Sequence, residues 1–137
     1  ESVGRLASTL QYLKLDHNPQ LGGQQSIASV QALSGLQQLI ELTMSCCNLM
    51  SLPADVDGIG GPKGWYESSW PRLQLWDVSC NALTGIPFSV GRMKSHLRTF
   101  SIEGNAVRWM RGDIVAKGTT AVLQYLEDRI PSAISKQ

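Results

Sequence analysis

Four nine-residue stretches decide the reading of this chain: LQYLKLDHN (Leu10–Asn18), LIELTMSCC (Leu39–Cys47), LQLWDVSCN (Leu73–Asn81) and LRTFSIEGN (Leu97–Asn105). Aligned, each has leucine at its first position. Apolar residues follow at the fourth (Leu13, Leu42, Trp76, Phe100) and the sixth (Leu15, Met44, Val78, Ile102), and Asn or Cys stands at the ninth. Apolar positions four and six, separated by polar ones, have the period of a short strand with one buried face. The residue at position nine turns inward where the strand ends, and its side chain satisfies backbone groups that the turn leaves unpaired. A single copy cannot bury its apolar side alone, so the core must form between stacked copies. The expected fold class is α/β, with parallel strands near residues 11–16, 40–45, 74–79 and 98–103.

The four stretches resemble the conserved half of a leucine-rich repeat, L-x-x-L-x-L-x-x-[NC]. The likeness continues through Leu49, Leu52 and Pro53 in one unit and Leu83, Ile86 and Pro87 in the next. After Asn105, the residues Arg111, Ile114, Lys117-Gly118-Thr119 and Val122-Leu123-Gln124-Tyr125-Leu126 resemble the closing segment of the relatives of leucine-rich repeat-containing protein 40. The Leu-Pro and Ile-Pro turns fit the same intracellular type, while NALTGIP (Asn81–Pro87) is similar to plant receptor repeats. The resemblance implies a leucine-rich-repeat solenoid over residues 1–137, a single domain of about four repeats whose strands line a concave face. The opening ESVGRLAST shows no N-terminal cap, and a bare hydrophobic end is costly, so the chain is expected to be the C-terminal part of a longer solenoid.

Two spacings depart from an ordinary repeat. Leu13 to Leu42 is 29 residues and Leu42 to Trp76 is 34, against 24 from Trp76 to Phe100. The first insertion is placed in Pro19–Ser29, where Gly22 and Gly23 break the periodicity, and the second between Gly58 and Trp70. Both are expected as loops away from the strands. Residues 106–131 read as a C-terminal helical cap. Gly118 suits the bend before it, Thr119 or Thr120 its N-cap, and Val122, Leu123, Leu126 and Ile130 form an apolar stripe laid over the last strand, with Pro131 ending the helix.

Composition removes several function classes. With 12 Lys+Arg against 11 Asp+Glu, the net charge of +1 lacks the basic footprint of a nucleic-acid binder. At 42% hydrophobic and 17% charged residues the chain is too apolar for disorder. No apolar run approaches the roughly 18–20 residues of a membrane span. Three cysteines cannot all pair within one chain, and no Asn-x-Ser/Thr glycosylation acceptor occurs, so a reducing, cytoplasmic setting is expected.

The sequence offers little chemistry, and no enzyme is expected. His17 and His96 lie about three repeats apart and read as exposed polar histidines rather than cooperating bases. Cys47 takes the place of a ladder asparagine. Cys46 and Cys80, both at position eight, are expected side by side as free thiols; a disulfide or a metal is the alternative, but no third and fourth ligand converge. Gly58–Gly64 is not a phosphate-binding loop, since Lys63 is followed by Gly64 instead of Ser or Thr. Arg111-Gly112-Asp113 reads as a coincidental tripeptide, with Asp113 capping the turn Ile114–Lys117. No cofactor and no metal is expected.

Binding is therefore assigned to the concave face, onto which positions two, three, five, seven and eight of each strand project. Position three supplies Tyr12, Glu41, Leu75 and Thr99; position five Lys14, Thr43, Asp77 and Ser101; position seven Asp16, Ser45, Ser79 and Glu103. His17, at position eight, completes the set. These twelve residues at positions three, five and seven carry four anions and one cation, suiting a protein partner with basic and apolar side chains. Trp65 and Tyr66, in the second insertion, are either interface anchors or pins that hold the loop to the convex side. The expected function is a non-catalytic protein-interaction scaffold. The alternative is a ligand-sensing or regulatory repeat region of a larger receptor or signalling enzyme.

Overall fold

The computed structural model describes residues 9–34, 36–53, 66, 69–107 and 112–129. They form a mixed α/β arrangement around one four-stranded parallel sheet. Its strands are β1 (Tyr12–Lys14), β2 (Glu41–Thr43), β3 (Leu75–Asp77) and β4 (Thr99–Ser101), in the order β1-β2-β3-β4. The register is constant: Leu13 pairs with Leu42, Leu42 with Trp76 and Trp76 with Phe100. Equivalent residues of the four aligned stretches thus stand in rows across the sheet.

Each strand is three residues long, narrower than the six the pattern suggested, yet the ladder extends beyond it at both ends. The amides of Ile40, Gln74 and Arg98 donate to the carbonyls of Gln11, Ile40 and Gln74 at 2.7, 2.8 and 2.8 Å. At the far end, the amides of His17, Cys46 and Cys80 donate to the carbonyls of Ser45, Ser79 and Glu103 at 2.9, 3.2 and 2.8 Å. Extended conformation stops at position eight, where His17, Cys46, Cys80 and Gly104 have φ of 62°, 56°, 57° and 79°. Left-handed backbone turns the chain sharply and ends the strand's alternation of faces. Position eight is therefore a turn position, which corrects its assignment to the strand face.

The turn exposes backbone groups that position nine then satisfies. Asn81 Nδ2 donates to the carbonyls of Met44 (2.9 Å) and Val78 (2.8 Å), while its Oδ1 accepts from the amides of Cys47 (2.8 Å) and Leu49 (2.9 Å). Asn105 repeats the pattern one strand on, donating to Val78 and Ile102 and accepting from Leu83. Cys47 fills the same place with a thiol, whose Sγ donates to the Leu15 carbonyl at 3.0 Å.

Behind the sheet, Leu39, Leu42, Met44, Leu73, Trp76, Val78, Leu97, Phe100 and Ile102 are buried, each contributing about 1.5–3 kcal/mol for a full-sized side chain. Leu10, Leu13 and Leu15 of the first stretch are only partly buried against this core. The first insertion is not a loop. It folds into two 3-10 turns (Pro19–Leu21 and Gly23–Gln25) and the helix α1 (Ser26–Gln31), and it buries Ser26 and Val30. Ser26 Oγ donates to the Gly23 carbonyl at 2.7 Å and accepts the Met50 amide at 2.9 Å, fastening the insertion to the next segment.

The C-terminal region holds two helices, α2 (Gly112–Ala116) and α3 (Thr119–Asp128). Two details differ from expectation. The N-cap of α3 is Gly118 at φ 105°, with no side-chain cap; Thr119 instead accepts the Phe100 amide on its Oγ1 at 2.9 Å. The reason is that β4 is the sheet edge, and its outward amide needs an acceptor. The buried stripe Val122, Leu123 and Leu126 packs chiefly on the 3-10 segment Phe88–Ser95 and less on β4. Gly91 permits that approach, since a Cβ there would lie 2.4 Å from the Glu127 amide nitrogen. Asp113 lies within the first turn of α2 and is not ahead of it as a cap. Ile130, Pro131 and Arg111 fall outside the described residues. No helix among the described residues is long and apolar enough to cross a membrane.

Candidate functional site

The constant register builds the candidate surface row by row. Tyr12, Glu41, Leu75 and Thr99 form one row and Lys14, Thr43, Asp77 and Ser101 the next, each residue beside its equivalent on the neighbouring strand. Asp16, Ser45, Ser79 and Glu103 follow two residues further along. None of these twelve is buried, because their alternate neighbours are the ones turned into the core. Tyr12, at 56% exposure, is the largest apolar surface in the set.

The carboxylates differ in how free they are. Asp16, just past β1, bridges to β2 and the segment after it: its Oδ2 accepts from Thr43 Oγ1 at 2.9 Å, and its Oδ1 accepts from the Ser45 amide (2.7 Å) and hydroxyl (2.9 Å). Partial burial alone would raise its pKa. The bonds from Ser45 and Thr43, helped by nearby His17, outweigh this and hold the carboxyl below its ordinary value. Asp77 accepts from the Ser79 amide at 2.9 Å and the Ser79 hydroxyl at 2.6 Å, within its own turn. Asp16, Thr43 and Ser45 therefore form a cross-strand brace as well as surface. Sequence reading missed this brace; its signal was the short hydroxyl side chains at positions five and seven beside an aspartate.

The remaining site candidates separate. His17 is exposed but sits in the left-handed turn beyond its strand. Tyr66 is excluded as an exposed anchor. It is 1% exposed, donates its hydroxyl to the Pro53 carbonyl at 2.6 Å, and lies 5.6 Å from Trp76 between ring centroids. The alternative weighed for it, folding back against the body, matches its position, because a large aromatic gains far more from the core than from solvent. Trp65 and Gly58–Gly64 lie outside the described residues. Trp70 is buried too, donating Nε1 to the Leu33 carbonyl at 3.0 Å.

His96 and Cys47 are engaged with the body of the molecule. His96 is half-buried, not the exposed histidine expected: Nε2 donates to the Trp70 carbonyl at 3.2 Å, and Nδ1 accepts from Ser95 Oγ at 3.2 Å. Burial lowers its pKa, with the Trp70 carbonyl opposing. Cys47 is buried, and that burial raises its thiol pKa. Cys46, Cys47 and Cys80 are all free thiols. Among the described residues, no group of three or more His, Cys, Asp or Glu is placed to hold a metal ion.

No family model matches the chain, and no solved structure matches it.

Proposed function

We propose that the chain is a leucine-rich-repeat solenoid segment of the intracellular type, akin to the relatives of leucine-rich repeat-containing protein 40. It serves as a non-catalytic, cytoplasmic scaffold for another protein. The observation that carries this reading is the constant register, which gathers Tyr12, Glu41, Leu75, Asp77 and Glu103 onto one face of the sheet. A pre-formed sheet presents these groups at a lowered ordering cost on binding. Its apolar points suit apolar side chains of a partner segment, and its carboxylates suit lysines or arginines. Exposed charges add little affinity each and act mainly through steering and selection.

The test is affinity capture with the full chain beside Glu41→Lys/Asp77→Lys/Glu103→Lys, with circular dichroism to establish that the variant folds. Partners captured by the parent and lost from the folded variant, with parental binding weakening as salt rises, are the expected result. Partners retained unchanged by the variant would remove the sheet face as the binding site.

A further inference from the structure

The turns after β2 and β3 bring two thiols together. Extending the Thr43–Asp77 pairing by three residues sets Cys46 opposite Cys80, and the amide ladder still holds there, with Cys46 donating to the Ser79 carbonyl at 3.2 Å. Both residues are left-handed, with φ of 56° and 57°. Their side chains thus leave equivalent backbones in the same direction, from chains about 4.8 Å apart. Disulfides join Cα atoms separated by about 4.4–6.8 Å, which includes this spacing. Cys80 is exposed and Cys46 half-buried, whereas Cys47, next in the chain, is committed to the core through the Leu15 carbonyl.

We propose that Cys46 and Cys80 are a cross-strand dithiol, a modification site that a small disulfide such as oxidised glutathione converts into a bridge between the turns after β2 and β3. The exposed Cys80 attacks first. Its thiolate forms a bond to one glutathione sulfur, the glutathione S–S bond breaks, and the departing glutathione thiolate takes up the proton Cys80 gave to solvent. Cys46 then attacks the Cys80 sulfur and displaces the second glutathione, which is protonated in turn. Two protein thiols are oxidised to one disulfide, and one glutathione disulfide is reduced to two thiols. Burial and the neighbouring Cys80 raise the Cys46 pKa, which fits Cys46 as the second, intramolecular nucleophile, a step that proximity assists. The inference rests on strand register and turn conformation, and stands apart from the scaffold reading.

The test incubates the full chain with oxidised glutathione under native conditions and maps thiols and cross-linked peptides by mass. The expected result is the loss of two of the three free thiols, a single Cys46–Cys80 linkage, and Cys47 alkylated only after unfolding. In Cys46→Ser, glutathione remains trapped on Cys80. In denaturant the wild-type chain gives mixed pairings in place of the single bridge. A stable glutathione adduct on wild-type Cys80 without a bridge, or a linkage through Cys47, would overturn the proposal.

Discussion

Asp16 shows how one side chain can belong to the surface and still hold the sheet together. Its carboxylate takes three donors from residues 27 and 29 positions away in sequence, Thr43 and Ser45. Asp16→Ala removes the acceptor and leaves the Ser45 amide to find water, so it should cost about 1–2 kcal/mol in chemical denaturation. Asp16→Asn, which keeps one acceptor oxygen, should cost less. The pH dependence has a definite sign. The carboxyl pKa is depressed in the folded chain, so the brace stabilises fully above the unfolded value of about 3.9 and fades as pH falls through the folded value. The parent should therefore lose stability in that acid window more steeply than Asp16→Asn.

At the scale of the elements, the ladder residues decide whether neighbouring strands stay in step. Asn81 serves four backbone partners on two strands' turns through the bonds to Met44, Val78, Cys47 and Leu49, and a fifth at Ser79 (3.2 Å). Asn81→Ala leaves the Met44 carbonyl and the Cys47 and Leu49 amides without this partner, while the Val78 and Ser79 carbonyls keep Asn105 and Cys46 as donors, and it should lower stability by about 2–4 kcal/mol. Cys47→Ala, which forfeits only a thiol donor, should cost distinctly less; urea melts of the two variants check the order. This layer was legible in the sequence, because an apolar residue at positions four and six and an amide at nine each have one place to go. Position eight was not legible. His, Cys, Cys and Gly share no chemistry, and their common property is backbone conformation, which the side chains do not announce. The first insertion was misread for another reason: glycine-rich composition marks a break in period, but not whether the break folds into helical turns, as Gly23–Gln25 does. Among the candidate site residues, the rows on β1 to β4 followed from the repeat, whereas Tyr66 depended on a tertiary contact with Pro53 and Trp76 that no local pattern encodes.

For the whole molecule, the decisive feature is the aromatic column that joins the second insertion to the sheet. Tyr66, Trp70, Trp76 and Phe100 run from the insertion through β3 into β4, with Trp76 stacked on Phe100 at 5.4 Å. The two tryptophans are not equivalent. Trp70 donates to Leu33, while the buried Trp76 Nε1 has no partner among the described residues. Trp70→Phe should therefore be the more costly change, by about 0.5–1.5 kcal/mol, because it gives up the bond to the Leu33 carbonyl, which keeps only the Leu36 amide at 3.3 Å; Trp76→Phe forfeits area but no hydrogen bond. Equilibrium unfolding of the pair gives the comparison.

The same column makes the molecule its own optical probe. Trp70 and Trp76 lie 5.1 Å apart with their planes at 72°, one where the insertion ends and the other in β3. Two indoles held that close in a fixed, asymmetric setting couple their electronic transitions. Near-ultraviolet circular dichroism should then register the docking of the insertion separately from the backbone signal of the sheet. A variant that frees the insertion while sparing the strands would lose the one band and keep the other, with no label attached.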